Sequence, residues 1–169
     1  NAIVIPGNIG WTKKGENVMG AGVAKQAAQK YPAIKSYFGS LCQDNKKDTR
    51  CMWYYIPDLL DRCLIFFPVK PLNEKFPYYS WRSNASVGLI ESSCQQLDAM
   101  VREMRSEGEM LDLQVYLPAV GCGNGGLDIE QVYPILREYL LDDCYHLVIW
   151  KSDIRCLQYL QSIGAINNV

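Results

Sequence analysis

The stretch VYLPAVGCGNGGLD, residues 115–128, places four glycines within six positions directly after an apolar run. Glycine loses more conformational freedom on folding than any other residue, so a cluster of this kind lowers stability unless it serves a purpose. One interpretation is a strand that ends in a plain turn, because turns favour glycine. The other is a loop whose backbone N–H groups approach a ligand closely, where side chains would be in the way.

A second glycine-rich stretch, PGNIGWTKKGENVMGAGVA (6–24), also lies between an apolar run and a helix pattern. A glycine-rich turn that opens a helix presents free N–H groups and the positive end of the helix, which together bind anions. Two such loops at one edge of a sheet would bracket a diphosphate. Neither stretch matches the Walker loop or the dinucleotide fingerprint. The residues alone therefore leave two interpretations open, a phosphate or nucleotide ligand and plain tight turns.

Strand-like and helix-like patterns alternate along the chain. The strand-like runs are residues 2–6, 52–56, 63–69, 113–120 and 146–150, and they are continuously apolar, as in strands covered on both faces. Helix patterns occupy residues 18–32, 32–43, 83–108, 128–141 and 152–164. Pro134 is expected to bend or delay the fourth helix. The alternation predicts an α/β sheet between helical layers, and 169 residues suit one domain over residues 1–169.

Composition restricts the classes of function. A net charge of −1 argues against a protein that coats nucleic acid, although a local basic patch is compatible with it. No apolar run reaches membrane-spanning length and no signal peptide is visible, so no membrane partner is expected. Seven cysteines without a C-x-x-C pair indicate free thiols in a cytoplasmic protein. The only histidine, His146, is interpreted as structural, and no metal site is expected.

Four segments in order carry a family resemblance. VMGAGVAKQAAQKYP (18–32) followed by YLPAVGCGNGGLD (116–128) resembles the macrodomain family, whose members bind ADP-ribose. FFPVK (66–70) and SWRSNASVGLIESSCQQL (80–97) narrow this to the branch of the DarG-like DNA ADP-ribosyl glycohydrolases and the terminal ADP-ribose protein glycohydrolases. The resemblance covers about residues 4–150. It implies a three-layer α/β/α macrodomain with a mixed central sheet, whose first family strand, with an adenine-binding Asp, would lie upstream of residue 1.

The resemblance also implies roles for single residues. Lys70 matches the lysine regarded as catalytic in this branch, and Asn8 matches an asparagine that faces the distal ribose, so the resemblance implies that both are catalytic residues. The implied ligand-binding residues are Met19, Gly20, Ala21, Gly22 and Val23 in the first loop, and Gly121, Cys122, Gly123, Asn124, Gly125 and Gly126 in the second. Trp81, Arg82 and Tyr79 are expected at the rim of the site, against the substrate.

Several of these residues also have simpler interpretations. By spacing alone, Lys70 is interpreted as a solvated charge at a strand end. If it is instead partly desolvated in a cleft, its neutral amine can attack a sugar carbon, and its protonated form can stabilise a departing atom. Trp81 is a core residue or a stacking platform. Arg82 is expected to pair either with a phosphate of the ligand or with Glu91. Cys122 is interpreted as small and structural, and Asp128 as a helix cap.

Two segments are longer than in DarG-like sequences, namely residues 9–18 and PLNEKFPYYS (71–80). Both are expected at the mouth of the cleft, where they would govern the choice of substrate. The terminal ADP-ribose branch has an aspartate where this chain has Gly125, which favours the DarG-like side.

The leading hypothesis is a metal-independent hydrolase. It would bind ADP-ribose as its ligand, without a cofactor, and cleave the distal-ribose bond of an ADP-ribosylated macromolecule, either DNA thymidine or a protein carboxylate. The alternative is a non-catalytic reader that sequesters ADP-ribose or a related nucleotide. A phosphatase acting on ADP-ribose phosphate ranks last, because no usable histidine is present. The resemblance further implies a cognate ADP-ribosyltransferase toxin as partner, and a monomer is expected.

Overall fold

The computed structural model describes residues 1–57, 59, 62–108 and 111–166. Within them, five strands form one sheet: β1 (Ala2–Asn8), β2 (Met52–Tyr55), β3 (Cys63–Lys70), β4 (Val115–Pro118) and β5 (Tyr145–Val148). Their order is β2-β3-β1-β4-β5. Only β2 runs antiparallel to its neighbour, so the sheet is mixed, and the predicted α/β class is confirmed.

Each of the five helix patterns contains a helix: α1 (Gly22–Lys30), α2 (Ile34–Asn45), α3 (Val87–Ser106), α4 (Ile129–Tyr139) and α5 (Ile154–Ser162). The hydroxyl of Ser86 accepts the N–H of Leu89 and caps the start of α3. Pro134 neither delays nor ends α4, because a proline there removes only one hydrogen bond to the preceding turn. No helix in the described part of the chain is long and apolar enough to cross a membrane.

Helices cover the two faces of the sheet in separate clusters. On one face, Val4, Ile65 and Phe67 pack against the buried side of α3 and α4, which supplies Ile90, Cys94, Leu97 and Val132. On the other face, Ile5, Leu64 and Phe66 pack against α1 and α2, which supply Ala27, Ile34 and Phe38. The ring of Tyr159 on α5 meets Tyr133 on α4 edge to face. The arrangement is the expected three-layer α/β/α sandwich.

The strands are not all covered on both faces, which corrects the expectation drawn from their apolar runs. Residues of β3 are buried from Cys63 to Val69, whereas Ile3, Tyr116 and Val148 are 47%, 38% and 44% exposed. These three side chains line an open groove of about 530 Å³ beside α1. The cluster under α1 and α2 draws on β1, β2 and β3, so the β4–β5 end of this face stays open.

Candidate ligand-binding cleft

A cleft opens where the central parallel strands β1 and β3 end. Their register pairs Asn8 with Lys70, after an irregularity between Gly7 and Asn8. The main cavity, of about 720 Å³, is lined by seven of the predicted site residues: Asn8, Gly20, Ala21, Lys70, Trp81, Arg82 and Asn124. An adjoining cavity of about 260 Å³ adds Gly22, Val23, Gly121, Cys122, Gly123 and Gly125. Both cavities share Ala21, Lys70 and Asn124, so they form one cleft.

The first glycine-rich loop delivers the N-terminus of α1 to this cleft. The helix begins at Gly22, whose φ of +56° suits glycine, and no side chain caps its first turn. That turn also carries no acidic residue. Its amide groups therefore keep the positive potential of a helix start, which favours an anionic ligand. A Cβ built at Gly20 or Gly22 would meet no atom within 4 Å, so the space beside this backbone is open.

The four glycines of the second loop serve two different purposes. A Cβ at Gly121 would lie 2.5 Å from Cδ1 of Ile90, and one at Gly125 would lie 3.0 Å from Cβ of Ala85. These two glycines let the loop pack against the start of α3. Gly123 faces open space in the cleft with a φ of +64°, at the start of a 3₁₀ turn that ends at Gly125. The first amides of such a turn have no partner within it, so they are available to a ligand.

Lys70 lies between the second loop and the rim. Its Nζ donates to the carbonyl of Trp81 at 2.8 Å and to that of Asn124 at 2.7 Å. Burial lowers the pKa of Lys70 from the usual 10.5, because the charged form is less well solvated there. The solvated end-of-strand interpretation is therefore wrong: this amine is directed into the cleft wall and partly desolvated.

Two asparagines fix the first loop from inside. Asn8 donates through Nδ2 to the carbonyl of Val18 at 2.8 Å, and its Oδ1 accepts the N–H of Gly10 at 3.1 Å. Asn17 is fully buried and donates to the carbonyls of Asn8 and Gly10 at 2.7 and 2.8 Å. Both ends of the Asn8 amide hold the loop while the residue also lines the main cavity, and its role towards the distal ribose stays a prediction. Asn17 was missed, since only the folded loop brings it against β1.

The rim residues Trp81, Arg82 and Tyr79 form a stack. The guanidinium carbon of Arg82 lies 4.5 Å from the ring centre of Tyr79 and 5.2 Å from that of Trp81. Trp81 is 40% exposed, so it is not a core residue. Glu91, the alternative partner of Arg82, instead accepts a hydrogen bond from the hydroxyl of Tyr139. Arg82 also lines the main cavity, so the stack holds a positive charge at the edge of the cleft.

Three residues predicted at the site lie outside the lining of the cleft. Met19 is 7% exposed and packs in the cluster under α1 and α2, where its length fills the core. Gly126 has a φ of +76° and ends the second loop's 3₁₀ turn. Tyr79 lines a neighbouring groove instead.

The residues interpreted as structural occupy structural positions. His146 hydrogen-bonds Gln114 and stacks on Tyr116. Asp128 is the N-cap of α4. Burial raises the pKa of the Cys122 thiol to about 11, so it is protonated and a poor nucleophile at neutral pH. All seven cysteines are free thiols.

The two long segments meet each other beside the cleft. A Cβ on Gly10 would lie 2.0 Å from the carbonyl oxygen of Pro77 and 2.5 Å from Oγ of Ser80, so the segments are in direct contact. Ser80 is fully buried, accepts the N–H of Asn73 and donates to the carbonyl of Pro77. This contact depends on glycine at position 10. The sequence contains that glycine, but only the folded contact between the two segments shows why it is needed.

Comparisons with known proteins agree with this geometry. No family model matches the chain. It is 28% identical over 117 residues to the DNA ADP-ribosyl glycohydrolases of Mycobacterium bovis and Mycobacterium tuberculosis, an alignment that covers 68% of this chain. The chain spans only 29% of the length of these relatives.

Solved structures match over most of the chain. The macrodomain of Mycobacterium tuberculosis DarG superposes with a TM-score of 0.66 and 26% identity, covering 88% of this chain and 86% of that one. Thermosipho africanus DarTG in complex with ADP-ribose gives a TM-score of 0.67 at 21% identity, covering 92% of this chain and 40% of that one. Sheet order, glycine loops and these similarities agree: the chain has the macrodomain fold and is similar to the macrodomains of DarG proteins.

Proposed function

We propose that this macrodomain binds ADP-ribose and hydrolyses the bond between its distal ribose and a modified macromolecule. The diphosphate would lie between the first turn of α1 and the second glycine loop, where the amides are available and the lining has room. The distal ribose would then reach the end of the cleft that contains Lys70. The relatives named DNA ADP-ribosyl glycohydrolase favour DNA as the macromolecule, with a protein carboxylate as the other candidate.

The single observation that supports catalysis is the placement of Lys70. A partly desolvated amine lies in the cleft between the rim and the second loop, held by two carbonyls at 2.7 and 2.8 Å. In the reaction, the bond from the anomeric carbon to the attached group breaks, and water supplies the new C–O bond and the proton of the leaving group. Neutral Lys70 can attack the anomeric carbon first, whereas protonated Lys70 can stabilise the departing atom.

One observation favours a non-catalytic reader instead. The same two hydrogen bonds of Lys70 join the rim to the second loop, and this structural role does not require Lys70 to take part in catalysis. A reader would bind ADP-ribose in the same cleft and release nothing. A cognate ADP-ribosyltransferase partner stays a prediction of the family resemblance.

The test is release of ADP-ribose from an ADP-ribosylated oligonucleotide and an ADP-ribosylated protein in parallel, with calorimetry of free ADP-ribose. Lys70→Ala should lower the release rate by about 10²-fold or more, the scale of a lost catalytic proton or charge partner. Affinity for free ADP-ribose should change by less than about tenfold. Lys47→Ala, an exposed lysine outside the cleft lining, is the control and should leave both unchanged.

Lys70→Arg separates the two chemical roles. Arginine keeps the positive charge but is not deprotonated in proteins. If Lys70 attacks as the neutral amine, this variant should be as slow as Lys70→Ala. If only the charge matters, it should retain most of the rate. Full activity in Lys70→Ala would contradict the assignment, and tight binding with no release by the unmodified protein would establish the reader.

A further inference from the structure

A second groove lies beside the cleft and is not used by the proposed reaction. Residues 11–13 form one wall and residues 75–79 the other, around a cavity of about 520 Å³, here called the aromatic groove. Tyr78 lines both this groove and the main cavity, so the two lie next to each other. A macromolecule attached to a ribose beside Lys70 would therefore pass close to the groove.

The groove presents three aromatic rings to solvent. Phe76 is 50% exposed, Tyr78 47% and Tyr79 38%, all within one short segment. The rings of Tyr78 and Tyr79 are 5.4 Å apart, and those of Phe76 and Tyr79 are 6.0 Å apart. Contiguous exposed apolar surface of this kind marks an interaction site in soluble proteins.

The charge of the groove is positive. Lys13 and Lys75 both line it and are exposed, and Lys75 lies 5.5 Å from the ring centre of Phe76. Neither lysine forms an ion pair with a carboxylate of the described residues. The nearby Glu16 is neutralised by Lys35 at 2.9 Å, which leaves Glu74 as the exposed acidic neighbour of Lys75 in sequence.

The walls are held rigidly before any partner binds. Phe76 donates its N–H to Oδ1 of Asn73, and buried Ser80 ties Asn73 to Pro77. On the other wall, Trp11 forms a bridge with Asn17, whose side chain is anchored to β1. A preformed surface loses little conformational entropy when it binds.

We propose that the aromatic groove binds a single nucleic-acid strand, with Phe76 and Tyr78 stacked on bases next to the modified nucleotide and Lys13 and Lys75 on its phosphates. This inference rests on the proposed function and assigns its substrate side. Exposed ring faces combined with unpaired lysines suit single strands, because the bases of a single strand can stack on aromatic rings, whereas the base faces in a duplex are covered by neighbouring base pairs. A peptide that binds by strand addition would require an open strand edge, and residues 77–82 form a 3₁₀ turn. A Pro-rich peptide would suit the aromatic rings but would bring no phosphates to Lys13 and Lys75.

The first experiment measures binding of an unmodified, fluorescently labelled thymidine decamer by anisotropy, with the full chain. Phe76→Ala and Lys75→Glu should each weaken binding by about tenfold, and added salt should weaken it further. Tyr55→Ala and Lys47→Glu alter an equally exposed aromatic and an equally exposed lysine outside the groove, and should have no effect. Phe76 is half exposed, so its removal leaves the core intact; unchanged thermal midpoints verify this.

Free ADP-ribose separates this inference from the proposed function. Its affinity should be the same in Phe76→Ala, Lys75→Glu and the unmodified chain, whatever the fate of catalysis. If the strand binds both variants as tightly as it binds the unmodified chain, the inference is wrong. It is equally overturned if duplex binds as tightly as single strand, or if the two variants impair turnover of an ADP-ribosylated peptide and not of an ADP-ribosylated oligonucleotide.

Discussion

Lys70 shows how the surroundings of one residue decide its chemistry. Burial lowers its pKa below the usual 10.5, so the neutral amine becomes available at a lower pH than for a solvated lysine. If the neutral form attacks the sugar, the rate should rise about tenfold per pH unit at low pH and level off above the pKa of Lys70. A profile of kcat against pH checks this. A rate that falls as pH rises would assign the role to the protonated form.

Alanine substitutions at two loop glycines should change the free energy of unfolding by very different amounts. Gly121→Ala introduces a Cβ 2.5 Å from Cδ1 of Ile90 at a φ of +76°, so we expect a loss of about 2–4 kcal/mol in the free energy of unfolding. Gly20→Ala meets no neighbour and should change it by less than about 0.5 kcal/mol. Urea denaturation of both variants measures the difference. Equal losses would mean that the second loop does not depend on its contact with α3.

At the scale of elements, the contact between the two long segments is the feature to test. Gly10→Ala places a methyl group against the carbonyl of Pro77 and Oγ of Ser80, which must push residues 77–82 away from the first loop. The first turn of α1 and the second glycine loop, to which we assign the diphosphate, do not take part in this contact. Affinity for free ADP-ribose should therefore stay within about threefold, while turnover of a conjugate should fall by about tenfold or more.

The measurement is calorimetry for ADP-ribose beside steady-state kinetics on an ADP-ribosylated oligonucleotide. Because Gly10→Ala adds one methyl group and leaves the sequence of residues 77–82 unchanged, a change in turnover reports the position of these residues and not their composition. Loss of ADP-ribose affinity with turnover preserved would reverse the assignment of the segment to the substrate side.

The sequence predicted the elements well and their environment less well. Apolar runs and the cap Asp128 placed the five strands and five helices of the described residues close to their observed bounds, because these signals are local. Ordered motifs brought Lys70 and the two glycine loops to one cleft. The exposed face at Tyr116 and Val148 could not be read from the same runs, since an apolar residue does not specify what covers it. The loop anchor Asn17 was not predicted for a related reason: an asparagine in a polar loop does not show that its side chain folds back onto the carbonyls of Asn8 and Gly10.

At the scale of the whole molecule, ligand binding and folding are linked. A ligand that binds only the native state stabilises it by RT ln(1 + [L]/Kd), which is about 2.7 kcal/mol at a hundredfold excess over Kd. For a domain of 169 residues this corresponds to a rise of about 5–10 °C in thermal midpoint. We expect this rise with ADP-ribose, because both loops that would hold it join strands to helices of the core.

Gly20→Val provides the matched comparison for this effect. Its side chain fills open space in the cleft at an ordinary φ, so the midpoint without ligand should stay unchanged while the rise with ADP-ribose disappears. Phe76→Ala, on the groove wall, should keep the full rise. Scanning fluorimetry with and without the ligand reads all three proteins together. A rise that survives in Gly20→Val would place the diphosphate elsewhere and detach the glycine loops from ligand binding.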